Sequence, residues 1–557
     1  MQGRYEMKSR VAVWGTGGGA LIISGEIGNV DFFIENDITR LSKTFLGKKV
    51  YYVKEVEDWD DILVYIYPKY YNEISYQLKS MGLKENIDFL KFSTKIKVNE
   101  IPKEIEDFKK KINENSERLR NASLIFSPHL FTIKGEEYKQ WFNLLFSNMK
   151  TEKFVLFSNY IGTNASQFTG DLNCSLVYMP EFWSFSRLPE INEEISVSPK
   201  VKDLINQNER LHDIADCIRF RFSYNRIPEN YEYVYIYSVY KVFSYIIETL
   251  RPTCIFLWPF SSHTSNILSY ICDQEHIRTY ALHEGVLYGT FQIDPCGEGG
   301  ESFPAAKREK FSRLPISEQD INNTKSILDD LMRSGYNRRL QPFDENEMEL
   351  RKLKKDRPII TFLGDDDFGM CLVPSSRRSK ENFSPIFESG LEEAVYIARL
   401  AQKNNWNFVY KPHPGDYSYK QEMLPQDMRE NVIFIDGMNI HRVVEFSDVI
   451  IINVSSCGYI ALMKGKPVVE TGKNMYTGYG CSYEVGKIDD LEEAIKEAIK
   501  MGYKESMREA FEHHMTLLLK YYLYKGGEGT QYYYGVDIPS DMGKLTLDYL
   551  AELITER

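Results

Sequence analysis

The stretch Asp448–Val469 constrains the fold of this 557-residue chain more than any other segment. Its sequence, DVIIINVSSCGYIALMKGKPVV, predicts a buried parallel strand at Val449–Ile452, a tight turn, a helix at Tyr459–Met463 and a second apolar strand. Strands that alternate with helices in this way are typical of parallel α/β domains. We therefore predict an α/β domain around this stretch.

The turn between this strand and this helix carries Asn453, Ser455, Ser456 and Gly458. Two serine hydroxyls and unpaired backbone N–H groups at the positive end of a helix dipole favour an anion site. A serine that only caps an ordinary helix is the alternative. The turn alone does not decide between them.

Strand and helix signals alternate along most of the remaining chain, and the length favours about three domains. Two successive α/β domains followed by a helical segment suggest a two-lobed transferase. The predicted divisions are a Rossmann-like α/β domain at 1–100, a helical linker at 101–122, α/β lobes at 123–345 and 346–502, and a C-terminal helical tail at 503–557.

Composition narrows the class of protein and its compartment. The net charge of −12 argues against a protein that wraps nucleic acid, which needs a basic face. Eight cysteines without a CxxC pair indicate a reducing compartment. We find no signal-peptide segment and no apolar run of the ~18–20 residues that span a bilayer. These features predict a cytoplasmic protein, and peripheral contact with the inner face of the plasma membrane stays open.

A glycine turn, Gly15–Gly19, follows the first predicted strand, and Glu35 and Asp37 end the second. A dinucleotide-binding fold has an acidic residue at that place. The spacing here is short, however, and the third glycine of the dinucleotide motif is displaced. We therefore do not expect NAD to bind at this turn.

A second candidate element is the Tyr410–Pro414 segment, YKPHP, which follows a predicted strand. Prolines on both sides of His413 restrain its backbone. Lys411 and His413 suit a phosphate by charge and by N–H donation. Because this segment and the Ser455 turn belong to one domain and are predicted to leave neighbouring strands, we expect both to face the same phosphate. A structural histidine in a proline turn is the alternative.

The segment His283–Ser302 places carboxylates near glycine turns after a predicted strand. Glu284 or Asp294 is a candidate general base or nucleophile, with His283 beside them. Glycines there allow the backbone to approach a substrate closely. An irregular surface loop is the alternative.

The fourth element is the acidic turn Gly364–Asp367. Its carboxylates suit a ribose, an incoming hydroxyl or a divalent metal. Adjacent side chains diverge, so one or two of them at most share a ligand. We do not expect a metal site here, and we take Asp366 as the candidate ligand-binding residue.

With these motifs the chain resembles the bacterial capsule polysaccharide synthesis family, which includes transferases that move Kdo, a 2-keto sugar acid, from its CMP-activated form. The shared elements, within residues 250–475, are HEGVL and its continuation to Ser302, the turn at Gly364, YKPHP, and SDVIIINVSSCGYIALMKGKPVVETG. The resemblance implies a GT-B-like pair of Rossmann-type domains, here preceded by a small Rossmann-like α/β domain. It also implies an acceptor lobe at 123–345 and a nucleotide-sugar lobe at 346–502 that binds its donor without a metal.

The resemblance further implies a nucleotide-sugar donor and a glycan or glycolipid acceptor, with no cofactor beyond the donor. Catalytic candidates on the acceptor side are His283, Glu284 and Asp294. Nucleotide-binding candidates are Gly364, Asp366, Lys411, His413, Asn453, Ser455, Ser456 and Gly458.

The chain departs from the family after the Glu-Gly element, where it has Tyr288-Gly289-Thr290. The donor need not carry Kdo, and another 2-keto acid such as a nonulosonate, or an unrelated nucleotide sugar, is an alternative. Teichoic-acid polymerases that use CDP-glycerol are similar at the His-Pro and double-serine turns. The predicted function is thus a glycosyltransferase of surface polysaccharide synthesis. The alternatives are a glycerophosphotransferase and a non-catalytic nucleotide-sugar-binding component of an assembly complex.

Overall fold

The computed structural model contains three β-sheets with helices between their strands. The first sheet belongs to one compact unit, and the other two sheets belong to a second unit. The residues described are 8–16, 20, 23–24, 27, 29–36, 44–67, 71–85, 87–92, 103–126, 153–158, 174–178, 197–223, 229–258, 260–287, 290–334, 350–351, 353, 356–414, 419–435 and 437–525.

The first sheet has six strands in the order β3-β4-β2-β1-β5-β6. All pairs are parallel except β3 with β4. Without the short β3, the order is the 3-2-1-4-5 arrangement of a Rossmann-type sheet. Its strands are Arg10–Trp14 (β1), Phe32–Glu35 (β2), Thr44–Phe45 (β3), Lys48–Tyr52 (β4), Ile62–Ile66 (β5) and Phe89–Lys91 (β6).

The second sheet repeats this order with five parallel strands, β9-β8-β7-β10-β11. Strand β12 pairs antiparallel with β11, and a C-terminal strand, Tyr524–Lys525, pairs antiparallel with β12. The strands are Ser123–Phe126 (β7), Phe154–Ser158 (β8), Cys174–Tyr178 (β9), Cys254–Leu257 (β10), Arg278–Glu284 (β11) and Thr290–Asp294 (β12).

One alternative and one expectation are corrected in this sheet. The alternative of an irregular surface loop after Glu284 does not hold, because the Gly285 N–H donates to the Thr290 carbonyl at 2.8 Å and the strand Thr290–Asp294 is buried and pairs with β11. The C-terminal segment is not wholly helical, because Tyr524 pairs with Phe291 in the second sheet.

The third sheet is fully parallel, in the order β15-β14-β13-β16-β17-β18. Its apolar strands pack against helices, and Val449–Ile452 is buried along its whole length as predicted. The strands are Ile359–Leu363 (β13), Asn407–Lys411 (β14), Val432–Phe434 (β15), Val449–Ile452 (β16), Val468–Glu470 (β17) and Tyr483–Glu484 (β18).

Polar caps and apolar stripes mark the helices between the strands. The helix Gly390–Asn404 begins where Ser389 Oγ accepts the Glu392 N–H at 3.1 Å, and it ends at Asn405 in the left-handed conformation. Among the described residues, none of the helices has the length and apolar character needed to cross a membrane. The helices are Tyr71–Ser80, Lys103–Glu114, Ser116–Leu119, Pro199–Asn206, Glu209–Ser223, Tyr231–Leu250, His263–Gln274, Phe303–Ala306, Arg308–Ser312, Glu318–Ser334, Arg377–Asn382, Gly390–Asn404, Gln426–Arg429, Ile440–Phe446, Cys457–Met463, Leu491–Met501 and Glu505–Leu517.

The strand order of the third sheet reverses between β13 and β16, so the chain leaves their carboxyl ends in opposite directions. Open parallel sheets bind ligands in the crevice at such a switch point. The predicted fold class, α/β with a GT-B-like pair of Rossmann-type sheets preceded in the sequence by a smaller Rossmann-like sheet, is confirmed. The expectation that Lys411 and Ser455 leave neighbouring strands is wrong, because β13 lies between β14 and β16.

Candidate functional site

The carboxyl ends of β14, β13 and β16 are joined by hydrogen bonds between their turns. The Gly364 N–H donates to the Lys411 carbonyl at 2.8 Å. The Val454 N–H donates to Asp365 Oδ2 at 3.1 Å. The acidic turn after β13 therefore holds both neighbouring turns, and it bridges the two elements that were expected to share a phosphate.

The YKPHP segment packs tightly where it leaves β14. Tyr410 stacks on Phe362, with ring centroids 5.4 Å apart. A Cβ on Gly364 would lie 3.2 Å from the Tyr410 ring and 3.3 Å from the Pro412 Cα, so the close approach of these turns favours glycine. Lys411 is buried and ends β14, and the half-buried His413 follows two residues later.

The double-serine turn is anchored by Asn453, which is 2% exposed. Its Nδ2 donates to Ser384 Oγ at 2.8 Å and to Glu393 Oε2 at 3.3 Å. Its carbonyl accepts from Asn474 Nδ2 at 2.8 Å. Hydrogen bonds among buried side chains thus fix the backbone of the turn.

The two serines of this turn differ in their contacts. Ser455 Oγ accepts the Cys457 N–H at 3.4 Å. Ser456 is exposed, and although it precedes the Cys457–Met463 helix its side chain makes no capping bond. The plain capping alternative therefore does not describe Ser456.

Gly458 has a packing reason to be glycine. A Cβ there would lie 2.3 Å from the Tyr476 hydroxyl and 2.5 Å from Ile452 Cδ1. No side chain fits without movement of these neighbours. The residue permits close packing of the helix on β16 and β17.

Buried carboxyl groups cluster beneath the three turns. Glu393 is fully buried, with Thr471 Oγ1 donating to its Oε1 at 2.5 Å. Burial, with a smaller effect from Asp367, raises the pKa of Asp365 well above its ordinary value. Burial likewise raises the pKa of Glu393, with Asp365 and Asp367 adding to it. Both carboxyl groups are therefore harder to ionise than free ones.

The three adjacent aspartates each bond to a different segment. Asp367 Oδ2 accepts the Gly390 N–H and the Tyr419 hydroxyl, both at 2.7 Å, and burial raises the pKa of Asp367 to about 6. Asp366 Oδ1 accepts only a local N–H, from Gly369 at 2.9 Å. The side chains diverge as expected. Within the described parts of the chain, no three His, Cys, Asp or Glu residues are arranged to hold a metal.

A further buried carboxylate, Glu470, ends β17 beside the double-serine turn. Asn474, Thr477 and Ser482 donate to it at 2.7, 2.5 and 2.9 Å. Burial raises the pKa of Glu470 to about 7 despite these donors. The edge of the third sheet is therefore lined by carboxyl groups whose pKa values are raised by burial.

The acceptor-side candidates lie on the hairpin of the second sheet. His283 faces Gln292 across the β11–β12 pair, and its ring stacks against Trp258 with centroids 6.4 Å apart. Glu284 is the last residue of β11, and only its backbone is among the described atoms. Asp294 faces Ala281, three residues along β11 from Glu284. Strand geometry separates Asp294 from Glu284 by roughly 10 Å.

Asp294 is enclosed by four donors and has no exposed surface. Its Oδ1 accepts the Cys296 and Gly297 N–H groups at 2.6 and 3.0 Å. Its Oδ2 accepts the Phe303 N–H at 2.7 Å and the Tyr522 hydroxyl at 2.6 Å. Burial still raises the pKa of Asp294 to about 6. This carboxylate holds the chain that follows β12.

That chain contacts the third-sheet region through Glu301. Arg378 Nε and a terminal guanidinium nitrogen donate to the two Glu301 oxygens at 2.7 and 2.6 Å. The backbone passes so close that a Cβ on Gly300 would lie 1.9 Å from the Asn382 carbonyl. A two-point ion pair thus joins the regions that carry the two groups of candidates.

Sequence reasoning missed Asp365, Asp367, Glu393 and Glu470. A signal was present for Glu393, because it shares the buried stripe of its helix with Ala394, Ile397 and Ala401. A carboxylate on an apolar stripe indicates a buried polar contact. The Asp-Asp-Asp run held no such signal, because a turn has no periodicity that tells which side chain faces inward.

Comparison with known proteins supports the family resemblance. Residues 384–522 match the family described as capsule polysaccharide biosynthesis protein. No curated protein matches the chain.

The chain is also similar to solved structures. Two of them are structures of KpsC from Thermosulfurimonas dismutans. The structure described as a beta Kdo 2,4 transferase is 16% identical, covers 48% of this chain and 80% of that chain, and has a TM-score of 0.34. The structure described as a beta Kdo 2,7 transferase is 16% identical, covers 56% of this chain and 89% of that chain, and has a TM-score of 0.33. MnaA of S. aureus, solved with UDP, has 10% identity over 72% and 91%, with a TM-score of 0.30.

The family match covers the Asn453 anchor, the double-serine turn, Glu393 and Glu470, so the resemblance predicted from the motifs is supported over residues 384–522 by their similarity to the capsule polysaccharide biosynthesis family.

Proposed function

We propose that this protein is a glycosyltransferase of surface polysaccharide synthesis that transfers a sugar acid such as Kdo from a CMP-activated donor to a glycan acceptor. The observation that carries the proposal is the junction of three turns at the switch point of the third sheet. Gly364–Asp367, Lys411–His413 and Asn453–Ser456 leave adjacent strand ends there. Ligands of open parallel sheets bind at this place.

In this proposal the donor phosphate lies over the Gly364 turn, between His413 and Ser456. The strands that lead to these two residues are separated by β13, a span of roughly 10 Å. His413 and Lys411 supply charge and N–H donors, and the exposed Ser456 supplies a hydroxyl. Donors fixed in advance stabilise the charge that develops on a leaving phosphate.

The raised pKa values of the buried carboxyl groups support an anionic ligand. Ionised Asp365 and Glu393 would repel a phosphate, and the raised pKa of each favours the neutral form, which does not. A neutral Asp365 still positions the turn through the Val454 N–H. These groups act on the turns and do not contact the donor.

On the acceptor side we assign the general-base role to Glu284, with His283 beside it. Glu284 ends β11 at the carboxyl edge of its sheet, where the ligand crevice is expected. The four hydrogen bonds that Asp294 accepts all come from protein groups. Asp294 therefore serves to position the chain that leads to Glu301.

The test is CMP binding and CMP release by the full-length protein. We expect CMP to bind in calorimetry, and His413→Ala to weaken it about 10- to 100-fold, the effect of one charge-assisted hydrogen bond. Lys466→Ala is the matched control, because Lys466 donates to the Ser447 carbonyl at the amino edge of the same sheet. The control should change affinity less than about twofold.

Supplying CMP-Kdo, CMP-sialic acid and CDP-glycerol separately, with enzyme-free blanks, identifies the donor. Release of CMP from a CMP-sugar supports the glycosyltransferase. Release from CDP-glycerol alone supports the glycerophosphotransferase instead. CMP binding without release from any donor, with Glu284→Gln unchanged in cells, supports a non-catalytic component. Failure of CMP to bind rejects the cytidine-nucleotide proposal altogether.

A further inference from the structure

Two cysteine thiols far apart in the sequence meet inside the second unit. Cys217 lies in the helix Glu209–Ser223, and Cys371 lies in the chain that follows the acidic turn of β13. Cys217 Sγ lies 3.6 Å from the Cys371 carbonyl and 4.0 Å from the Pro374 carbonyl. The two residues are 3% and 7% exposed, and their thiols are hydrogen-bonded to each other.

A histidine completes this cluster. His263, the first residue of the helix His263–Gln274, is fully buried and interacts with Cys371. Burial opposes ionisation of Cys371, but the Cys217 hydrogen bond and the His263 ring together lower the pKa of the Cys371 thiol. The Cys371 hydrogen bond and burial raise the pKa of Cys217. Of the two thiols, that of Cys371 is therefore the more readily ionised.

The surrounding packing holds the two segments together. The Phe220 ring, one turn along the helix from Cys217, stacks on Phe368 with centroids 6.0 Å apart and planes 17° apart. Cys371 has a φ of 55°, a conformation that few residues other than glycine adopt. The thiols are thus held in contact by their neighbours.

We propose that Cys217 and Cys371 are an oxidisable dithiol, which a hydroperoxide converts to a reversible disulfide that ties the helix Glu209–Ser223 to the chain after β13.

The chemistry balances with one equivalent of hydrogen peroxide. The Cys371 thiolate attacks one peroxide oxygen, the O–O bond breaks, and hydroxide leaves as Cys371 becomes a sulfenic acid. The Cys217 sulfur then attacks Cys371 Sγ, and the sulfenic oxygen leaves as water once the Cys217 proton reaches it. The sum is two thiols and one hydrogen peroxide giving one disulfide and two waters. A small dithiol reductant reverses the reaction.

Cys254 and Cys296 lack this arrangement. Cys254 Sγ donates to Ser123 Oγ at 3.3 Å, and burial raises the pKa of its thiol. Burial also raises the pKa of Cys296 to about 12. Thiols react as thiolates, so these two should oxidise slowly.

The disulfide would act on the acidic turn. The Leu372 N–H donates to the Asp367 carbonyl at 2.8 Å, and the Met370 N–H donates to the Asp366 carbonyl at 2.9 Å. Cys371 lies between these two donors. A covalent tie at Cys371 would restrain the turn that bridges the proposed phosphate-binding elements.

The experiment treats the reduced, folded full-length protein with hydrogen peroxide, then adds N-ethylmaleimide in denaturant and digests without reductant. We expect mass spectrometry to find a Cys217–Cys371 peptide pair that has lost two hydrogens and that dithiothreitol separates. Cys254→Ser should form it at the wild-type rate. Cys217→Ser should leave Cys371 as a sulfenic acid that dimedone traps, and Cys371→Ser should leave Cys217 as a free thiol.

Two results would overturn the proposal. One is recovery of both cysteines as maleimide adducts after peroxide treatment of wild type. The other is a Cys217–Cys371 pair that forms no faster than pairs containing Cys254. Both are read from the wild-type protein, so they do not depend on the folding of any variant. Neither depends on donor binding, so the outcome is independent of the proposed transferase activity.

Discussion

The first and third sheets share a parallel strand order but hold their carboxyl groups in opposite electrostatic states. In the first sheet Lys8 pairs with Asp88 at 2.6 Å. Burial alone would raise the pKa of Asp88, but the Lys8 contact and the Lys84 N–H lower it. In the third sheet burial raises the pKa of Asp367 to about 6 and that of Glu470 to about 7.

This difference shows that strand order does not determine what a sheet edge can do. In the first sheet a cation pairs with Asp88. In the third sheet the described donors to Asp367 and Glu470 are neutral N–H and hydroxyl groups, and burying these acids costs folding free energy. Such groups concentrate at functional sites, although structural networks also produce them. The burial of these acids beneath the double-serine turn favours the functional interpretation.

The largest expected effect is a steric one at the third-sheet edge. A Cβ on Gly472 would lie 1.9 Å from Asn453 Oδ1 and 2.5 Å from the Asn453 carbonyl oxygen. Because the backbone there cannot yield, Gly472→Ala should destabilise the protein by more than ~3 kcal/mol, above the usual range for overpacking. Differential scanning calorimetry measures this loss as a fall in the temperature of the first unfolding transition.

Two other glycines serve as controls for Gly472→Ala. Gly15 in the first sheet has nothing within 4 Å but a φ of +99°, so Gly15→Ala should cost only about 1–2 kcal/mol of backbone strain. Gly486 in the third-sheet region has open space and no left-handed φ, so Gly486→Ala should be nearly silent. A Gly472→Ala protein that melts like wild type would show that Asn453 is not held as described.

Sequence reasoning predicted the architecture well where local pattern decides it. The strand Val449–Ile452 was predicted residue for residue, because a continuous β-branched run between turns admits one interpretation. The strand Tyr524–Lys525 was missed, because the strand it pairs with, β12, lies more than two hundred residues earlier. No local signal could have revealed that pairing.

The candidate site was predictable in its turns but not in the side chains that support them. Gly364, Lys411 and Ser455 stand at strand ends, which the alternation of strand and helix locates. That β13 separates β14 from β16 depends on strand order, which one sequence does not reveal. The choice among Asp365, Asp366 and Asp367 depends on contacts with Val454 and Gly390 from distant segments. The roles assigned to the turns stay predictions.

The next largest effect is a pH dependence of stability that comes from Asp367. The folded pKa of Asp367 is raised from 3.8 to about 6, so its contribution to stability is fully present below pH 3.8 and is lost as the pH rises through 6. Asp367→Asn keeps an oxygen for the Gly390 N–H and the Tyr419 hydroxyl but cannot ionise. Relative to wild type, the variant should gain about 2 kcal/mol between pH 4 and pH 7. Urea unfolding at both pH values measures this.

The first sheet supplies the opposite control. The pKa of Asp88 is lowered, so its contribution is present above pH 3.8 and is lost as the pH falls. Lys8→Met should therefore weaken the protein from neutral pH down to about pH 4, and its effect should fade only as the pH falls below 3.8. If Asp367→Asn and Lys8→Met shifted with pH in the same direction, the contrast between the two sheets would be wrong. Hydrogen exchange in peptides covering residues 359–411 and 62–91 would assign each effect to its sheet.

The smallest effects come from two matched threonines. Thr471 donates to Glu393 at 2.5 Å inside the third-sheet region, and Thr16 donates to Glu35 at 2.9 Å in the first. Valine has the same shape as threonine but no hydroxyl, so each substitution removes one donor. Glu393 is wholly enclosed, and no water replaces the lost donor. Thr471→Val should therefore cost about 2 kcal/mol and Thr16→Val about 1 kcal/mol or less.

The two substitutions should also differ in their consequences for ligand binding. Glu393 holds Asn453, the anchor of the double-serine turn, so loss of Thr471 should loosen that turn and weaken CMP binding measurably. Thr16→Val should leave CMP affinity unchanged while lowering stability slightly. Equal loss of stability, measured by urea unfolding, with CMP affinity unchanged in both would mean that the buried acids of the third sheet only hold its fold. A loss of affinity confined to Thr471→Val would tie them to the donor site.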